Sequence, residues 1–77
     1  MNIEEKIIKI ITEQLGMRDG DVNADSTHES LGMDSLDDIE VIMAIEEAFG
    51  LEVDDRELEK LLSVQAVTRY VTNALNA

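Results

Sequence analysis

The 77-residue sequence predicts an all-α protein: a small four-helix bundle with three main helices, a short third helix and a long first loop. Apolar residues recur at the three- and four-residue spacing of amphipathic helices in three separate segments. No segment shows the sustained alternation of apolar and polar residues that would indicate a strand. The chain has no proline, and its four glycines separate these segments or stand in turn-rich sequence.

The first predicted helix covers 3–15, with Asn2 as its N-cap and Gly16 as a left-handed stop. The following segment, 17–32, is rich in Asp, Asn, Ser and Gly, and it is predicted to form a long loop. The loop residues expected to anchor this segment to the core are Val22 and Leu31.

The second predicted helix covers 35–49, with Asp34 as its N-cap and a glycine after its last residue. A short third helix is predicted over 55–62, and a fourth helix over 64–75 with Ser63 as its cap. The expected core face of the second helix comprises Ile39, Ile42, Ile45 and Phe49, and the expected inward stripe of the fourth comprises Val64, Val67, Val71, Ala74 and Leu75.

The charge balance excludes several functions. The chain has eighteen Asp and Glu but only six Lys and Arg, and the resulting net charge of -12 opposes binding to nucleic acid or to an anionic membrane.

The absence of cysteine excludes a disulfide, a zinc–thiolate site and a cysteine nucleophile. We expect one monomeric, cytoplasmic domain over 1–77, without signal peptide or membrane span. This size favours a binding module or a carrier over an enzyme.

One segment of the first loop partly matches a calcium-binding template. Asp19, Asp21 and Asn23 occupy positions one, three and five of an EF-hand loop. Positions six and twelve, which require glycine and a bidentate glutamate, hold Ala24 and Ser30. The sequence therefore predicts no specific metal site, only diffuse attraction of divalent cations.

Ser35 is the candidate site residue because it begins an acidic helix directly after a glycine-containing turn. Unpaired N–H groups and the helix dipole favour a phosphate ester at such a position. The alternative is that Ser35 merely helps to cap the helix. A serine nucleophile needs an oriented base, and the only histidine, His28, is expected to be a solvated loop residue. If Ser35 reacts, another protein is expected to activate it.

Several segments share the pattern of one known family: LGMDSLD at 31–37, then Glu40, MAIEEAF at 43–49, SVQAV at 63–67 and YV at 70–71. The first helix also fits, through Ile3, Ile7, Ile11 and the Gln14-Leu15-Gly16 end. With these segments in register over almost its whole length, the chain resembles the acyl carrier proteins that work as separate small proteins in fatty-acid synthesis.

The resemblance implies that a phosphopantetheinyl transferase esterifies Ser35 with 4'-phosphopantetheine from coenzyme A. The thiol of this arm would hold acyl groups as thioesters and carry them between enzymes of fatty-acid or related acyl biosynthesis. The chain would itself catalyse nothing. Two alternatives stay open: a carrier for polyketide, aminoacyl or peptidyl groups, and an acidic helical interaction module without carrier chemistry.

The resemblance also gives the acidic second helix a role. Eleven of the 18 acidic residues lie between Asp34 and Glu59, where Arg56 is the only cation. The family presents this helix to basic patches on acyl-transferring and fatty-acid-synthesis enzymes, although any soluble helix has a charged face. The expected partner-binding residues are Asp34, Leu36, Asp37, Glu40, Val41, Met43 and Glu47. The candidates for an acyl pocket, otherwise ordinary core, are Ile42, Ile45, Leu58, Leu61 and Leu62.

The sequence departs from the family pattern at three positions. Thr27 stands where the family often has an aromatic residue, and Ser30 where it often has an acid. Asp54 replaces a common proline before the third helix. Together these departures predict a looser first loop and leave the biosynthetic pathway open.

Overall fold

The computed structural model describes residues 2–76, and this part of the chain folds into helices joined by loops. The helical segments are α1 (Ile3–Leu15), α2 (Ser35–Phe49), a 3-10 helix (Asp55–Lys60) and α3 (Val64–Leu75). The only extended pairing within 2–76 is one isolated antiparallel bridge between Thr27 and Ser63. The prediction of a small all-α bundle is therefore confirmed.

The three α-helices begin and end where the sequence predicts. The Asn2 side chain accepts a hydrogen bond from the Glu5 backbone N–H at 2.8 Å, which satisfies one free donor of α1. Gly16 follows α1 and Gly50 follows α2, each in the left-handed conformation, with φ of 64° and 66°. Glycine adopts this conformation without the steric cost that a side chain would impose.

The core lies around α1, which packs against both α2 and α3. Val22 is buried in it and Leu31 packs against it, so the two predicted loop anchors are confirmed. The buried core residues are Ile7, Ile11, Val22, Val41, Ile42, Ile45, Val64, Val67 and Val71.

Three of the predicted core positions are wrong. Ile39 is 49% exposed because the buried side of α2 is centred on Val41, Ile42 and Ile45, and Ile39 lies beside it. Ala74 and Leu75 are exposed because none of the residues in 2–76 covers the last turn of α3.

The short third helix differs from its prediction in type and length. It is a 3-10 helix that ends at Lys60, because Leu61 leaves the helical conformation with φ −98° and ψ 54°. None of its six residues is buried. Such a short segment gains too little from packing to offset the cost of starting an α-helix.

Hydrogen bonds connect the first loop to the start of α3 and close a turn within the loop. The Val64 N–H donates to the Ser26 carbonyl oxygen at 3.0 Å, so the loop is tied to the start of α3. Thr27 and Ser30 share three hydrogen bonds: each backbone N–H donates to the other's hydroxyl oxygen, at 2.8 and 3.0 Å, and the Ser30 hydroxyl donates to the Thr27 carbonyl oxygen at 3.1 Å. Two of the departures from the family pattern thus stabilise a turn together.

Candidate functional site

Ser35 is the first residue of α2 and is exposed. Its neighbours form a capping box: the Asp37 N–H donates to Asp34 Oδ1 at 2.9 Å, and the Asp34 N–H donates to Asp37 Oδ2 at 3.2 Å. Asp34 therefore caps the helix, and the Ser35 hydroxyl has no hydrogen-bond partner within 2–76. The alternative that Ser35 serves as a cap does not fit this geometry.

A cavity of about 380 Å³ lies beside Ser35, between α2 and the 58–67 segment. It exists because α2 and α3 pack mainly against α1 rather than against each other. Most of its wall is apolar, and four of the five predicted pocket residues contribute to it: Ile42, Leu58, Leu61 and Leu62. Ile45 does not line the cavity, because it is fully enclosed in the core cluster. Ser35 lies on the wall itself.

The outer side of α2 presents a mixed apolar and acidic surface, which we call the α2 surface. It consists of Leu36, Glu40, Met43 and Glu47, all of them exposed. At 3.6 residues per turn these four positions lie within about 60° of each other around the helix axis. Leu36 and Met43 are 63% and 60% exposed, which is unusual for large apolar side chains.

The remaining predicted partner-binding residues lie elsewhere. Asp34 is exposed and Asp37 is half-buried, and both belong to the capping box at the start of α2. Val41 is only 3% exposed, so the prediction that it contacts partners is wrong. The reason is that α2 turns Val41, together with Ile42 and Ile45, towards the core.

One interaction beside Ser35 was not predicted from the sequence. His28 Nδ1 lies 2.7 Å from Asp38 Oδ1, and both side chains line the cavity. His28 is thus half-buried and bonded, not a solvated loop residue. A sequence signal for this pair did exist, because Asp38 shares a helical face with Ile42 and Ile45. A carboxylate on a core face requires a polar partner.

The loop that partly matches the calcium template uses its oxygens locally. Asp21 Oδ2 accepts a hydrogen bond from the Arg18 N–H at 3.1 Å, and Asn23 Oδ1 accepts one from the Asp25 N–H at 2.9 Å. Within 2–76, no three His, Asp or Glu residues are grouped so that they could hold a metal ion. In the same part of the chain, no helix is long and apolar enough to cross a bilayer.

Residues 5–71 match the family described as "Phosphopantetheine attachment site". The chain belongs to this family. Phosphopantetheine-attachment domains carry 4'-phosphopantetheine as a covalently bound cofactor and act as carriers rather than catalysts. They interact with phosphopantetheinyl transferases and with enzymes that handle acyl groups.

The start of α2 fits the phosphodiester of this cofactor. Within 2–76, the backbone N–H groups of Ser35 and Leu36 have no protein acceptor, so they are available to phosphate oxygens. The positive end of the helix dipole favours an anion at the same place. The carboxylates of Asp34 and Asp37 oppose this attraction, but each is itself occupied by a backbone N–H. The favourable interactions with the phosphodiester would therefore come from the backbone N–H groups at the start of α2.

Proposed function

We propose that the chain carries acyl groups as thioesters on a 4'-phosphopantetheine arm attached to Ser35, for fatty-acid or related acyl biosynthesis. The observation that supports this most is the exposed, unbonded hydroxyl of Ser35 beside an apolar cavity. When attached, the arm supplies the terminal thiol that the cysteine-free chain lacks. Residues 1–77 would act as one acyl-carrier domain.

The chain positions the reacting hydroxyl but does not activate it. The capping box of Asp34 and Asp37 stabilises the first turn of α2, which includes the backbone of Ser35. None of the side chains in 2–76 accepts a hydrogen bond from that hydroxyl, so the chain offers no base for its proton. A phosphopantetheinyl transferase would therefore supply the base and the coenzyme A.

The α2 surface would dock the partner enzymes. Glu40 and Glu47 attract a basic patch over long range, and Leu36 and Met43 then bury apolar area in the contact. Asp34 and Asp37 add negative charge near Ser35 itself. Because exposed charges speed association more than they tighten the complex, this surface suits a carrier that visits several enzymes in turn.

The cavity favours an acyl chain over an aminoacyl or peptidyl group. Its wall is formed mainly by aliphatic side chains, among them Ile42, Leu58 and Leu61. An alkyl chain loses nothing by leaving water for such a wall, whereas an ammonium or amide group would lose its hydrogen bonds.

Loading assays test this cargo class. The chain is first converted to its phosphopantetheine form, and then incubated either with malonyl-coenzyme A and a malonyltransferase or with amino acids, ATP and aminoacyl-loading enzymes. We expect intact mass to show malonyl loading, which Ser35→Ala abolishes. Selective aminoacyl loading would contradict the fatty-acid assignment, and failure of the first conversion to the phosphopantetheine form would favour an interaction module without carrier chemistry.

The cavity is tested separately by loading an octanoyl chain. We expect the methyl resonances of Ile42, Leu58 and Leu61 to shift, because these side chains line the cavity. Ile8 serves as the control, since it lies on α1 and does not line this cavity. Shifts confined to the neighbourhood of Ser35 would show that the chain stays outside.

A further inference from the structure

The His28–Asp38 pair joins two walls of the cavity close to the attachment site. Its Nδ1–Oδ1 distance is 2.7 Å, and the two side chains are 30% and 29% exposed. Asp38 lies on α2 about one turn after Ser35. Among residues 2–76, this contact is the only hydrogen bond that links the 17–33 loop to α2.

The backbone of His28 extends this junction to the remaining walls. Its N–H donates to the Leu62 carbonyl oxygen at 2.8 Å, which ties it to the connection before α3. Its carbonyl oxygen accepts from the Met33 N–H at 3.1 Å, which ties it to the segment leading into Ser35. One residue thus connects the loop, α2 and the 58–67 segment.

The pair is itself partly exposed on the cavity wall. We define the mouth as the exposed residues of that wall: Thr27, Ser35, Ile39, Glu59 and Leu62. Asp38 directly precedes Ile39, and His28 is bonded to Leu62. The side-chain contact therefore connects one side of the mouth to the other.

The chemistry of the two groups fixes how they bond. An ionised carboxylate only accepts hydrogen bonds, so His28 Nδ1 is the donor whether the ring is neutral or protonated. The neutral ring therefore carries its proton on Nδ1 and keeps a lone pair on Nε2. Leu31 and Ile39 line the same cavity wall as the pair.

We propose that the His28–Asp38 pair is a latch across the mouth, and that it controls how readily the thioester end of an acyl chain becomes exposed. This inference rests on the proposed function, because it concerns cargo held at Ser35. With the pair closed, the loop and α2 move as one, and an acyl chain in the cavity keeps its thioester close to the wall. When the pair opens, the loop loses its hydrogen bond to α2 and the chain leaves more easily.

The test compares variants that break or keep the hydrogen bond. Asp38→Ala removes the acceptor, whereas Asp38→Asn keeps an acceptor oxygen at the same place and serves as the matched control. Each protein is loaded with an octanoyl thioester, and its cleavage by hydroxylamine is followed by intact mass. We expect the thioester of Asp38→Ala to be cleaved about three- to tenfold faster, the effect of losing one partly exposed hydrogen bond. Asp38→Asn should stay within about twofold of the parent.

A second pair of variants tests the coupling. His28→Ala should accelerate cleavage as much as Asp38→Ala does. The double variant should add no further acceleration, because each single variant already removes the same hydrogen bond. Equal cleavage in the parent and both alanine variants would overturn the proposal. The proposal would also be overturned if the thioester on Asp38→Asn were cleaved as fast as the thioester on Asp38→Ala. If Asp38→Ala fails to fold by circular dichroism, His28→Ala and Asp38→Asn still decide between these outcomes.

A spectroscopic measurement on the unloaded chain tests the latch without its cargo. We expect imidazole nitrogen shifts of the neutral ring to place the proton on Nδ1 in the parent, and on Nε2 once Asp38 is replaced by alanine. An Nε2 proton in the parent would overturn the latch. Failure of the parent chain to accept phosphopantetheine would contradict the proposed function and leave this result unaffected, so the two failures are distinguishable.

Discussion

Asp34 and Asp37 exchange hydrogen bonds across the first turn of α2, each backbone N–H donating to the other's carboxylate. Two acids of like charge thereby stabilise the same helix end, because each carboxylate is paired with a backbone donor and both meet the positive end of the helix dipole. The consequence for the site is that Ser35, enclosed in this turn, keeps a fixed backbone and a free hydroxyl.

Replacement of the cap should destabilise the fold by a known amount. We expect Asp34→Ala to lower the free energy of unfolding by about 1 kcal/mol, since the Asp37 N–H loses its acceptor. Asp34→Asn should lower the free energy of unfolding by only about 0.3 kcal/mol, because asparagine also caps helices. Urea denaturation measures both. Equal losses in the two variants would mean that charge, not capping, stabilises this turn.

Charge reversal on the α2 surface should weaken encounters with partner enzymes. We expect Glu40→Lys or Glu47→Lys to lower kcat/KM for a phosphopantetheinyl transferase about tenfold at low salt, mainly through slower association. The loss should shrink as salt screens the charges. Glu13→Lys is the matched control, because Glu13 is also exposed but lies on α1. An equal loss for Glu13→Lys would show that only net charge matters.

Val41 and Met43 should behave oppositely although both are apolar residues of α2. Val41→Ala should lower the free energy of unfolding by about 2 kcal/mol, since it removes buried methyl groups and leaves a cavity. Met43→Ala should change it by less than about 0.5 kcal/mol, because an exposed side chain loses little on truncation. Met43→Ala should instead raise KM for a docking enzyme. Similar stabilities for the two variants would contradict the burial of Val41.

Asp54 and Arg56 form a pair at the start of the 3-10 helix, with Nη2 and Oδ2 2.9 Å apart. The Arg56 side chain and backbone N–H both donate to Asp54, and they hold the pKa of its carboxyl below the usual 3.8. The contribution of this pair to the stability of the folded state is therefore complete above pH 3.8, and it is lost as the pH falls through the lowered pKa of Asp54.

A carboxyl-carbon NMR titration checks this pair. Arg56→Gln should raise the pKa of Asp54 towards 3.8, because the largest cause of its lowering is the Arg56 side chain. Lys60→Gln, the control, should leave the pKa of Asp54 where it is. An unchanged pKa in Arg56→Gln would mean that the pair does not persist in solution.

Local sequence signals were sufficient for the helices. Asn2, Asp34 and Ser63 each cap a helix whose apolar spacing was already visible, and capping depends only on residues within one turn. The proposal that Ser35 carries the arm did not follow from local sequence alone, because a serine at the start of a helix can also serve in capping; it followed from the resemblance of the 31–37 segment to a known family. The start of the short third helix also followed, but its 3-10 type and its end at Lys60 did not, because they depend on how little of this segment is buried.

Side-chain burial on α2 needed the tertiary structure. Its apolar residues surround much of the helix, so periodicity could not distinguish Ile39, which faces an open cavity, from Val41, which faces the core. The His28–Asp38 contact spans ten residues and depends on where the loop crosses α2. The sequence indicated only that Asp38 needs a polar partner, and packing determines that this partner is His28.

Intact mass tests most directly whether Ser35 accepts the phosphopantetheine arm. The chain is incubated with coenzyme A, magnesium and a broad-specificity phosphopantetheinyl transferase, alongside Ser35→Ala and, as a control hydroxyl in the loop, Ser30→Ala. We predict a gain of one phosphopantetheine in the parent and in Ser30→Ala, and none in Ser35→Ala. No gain in a folded parent chain, or an undiminished gain in Ser35→Ala, would contradict the account.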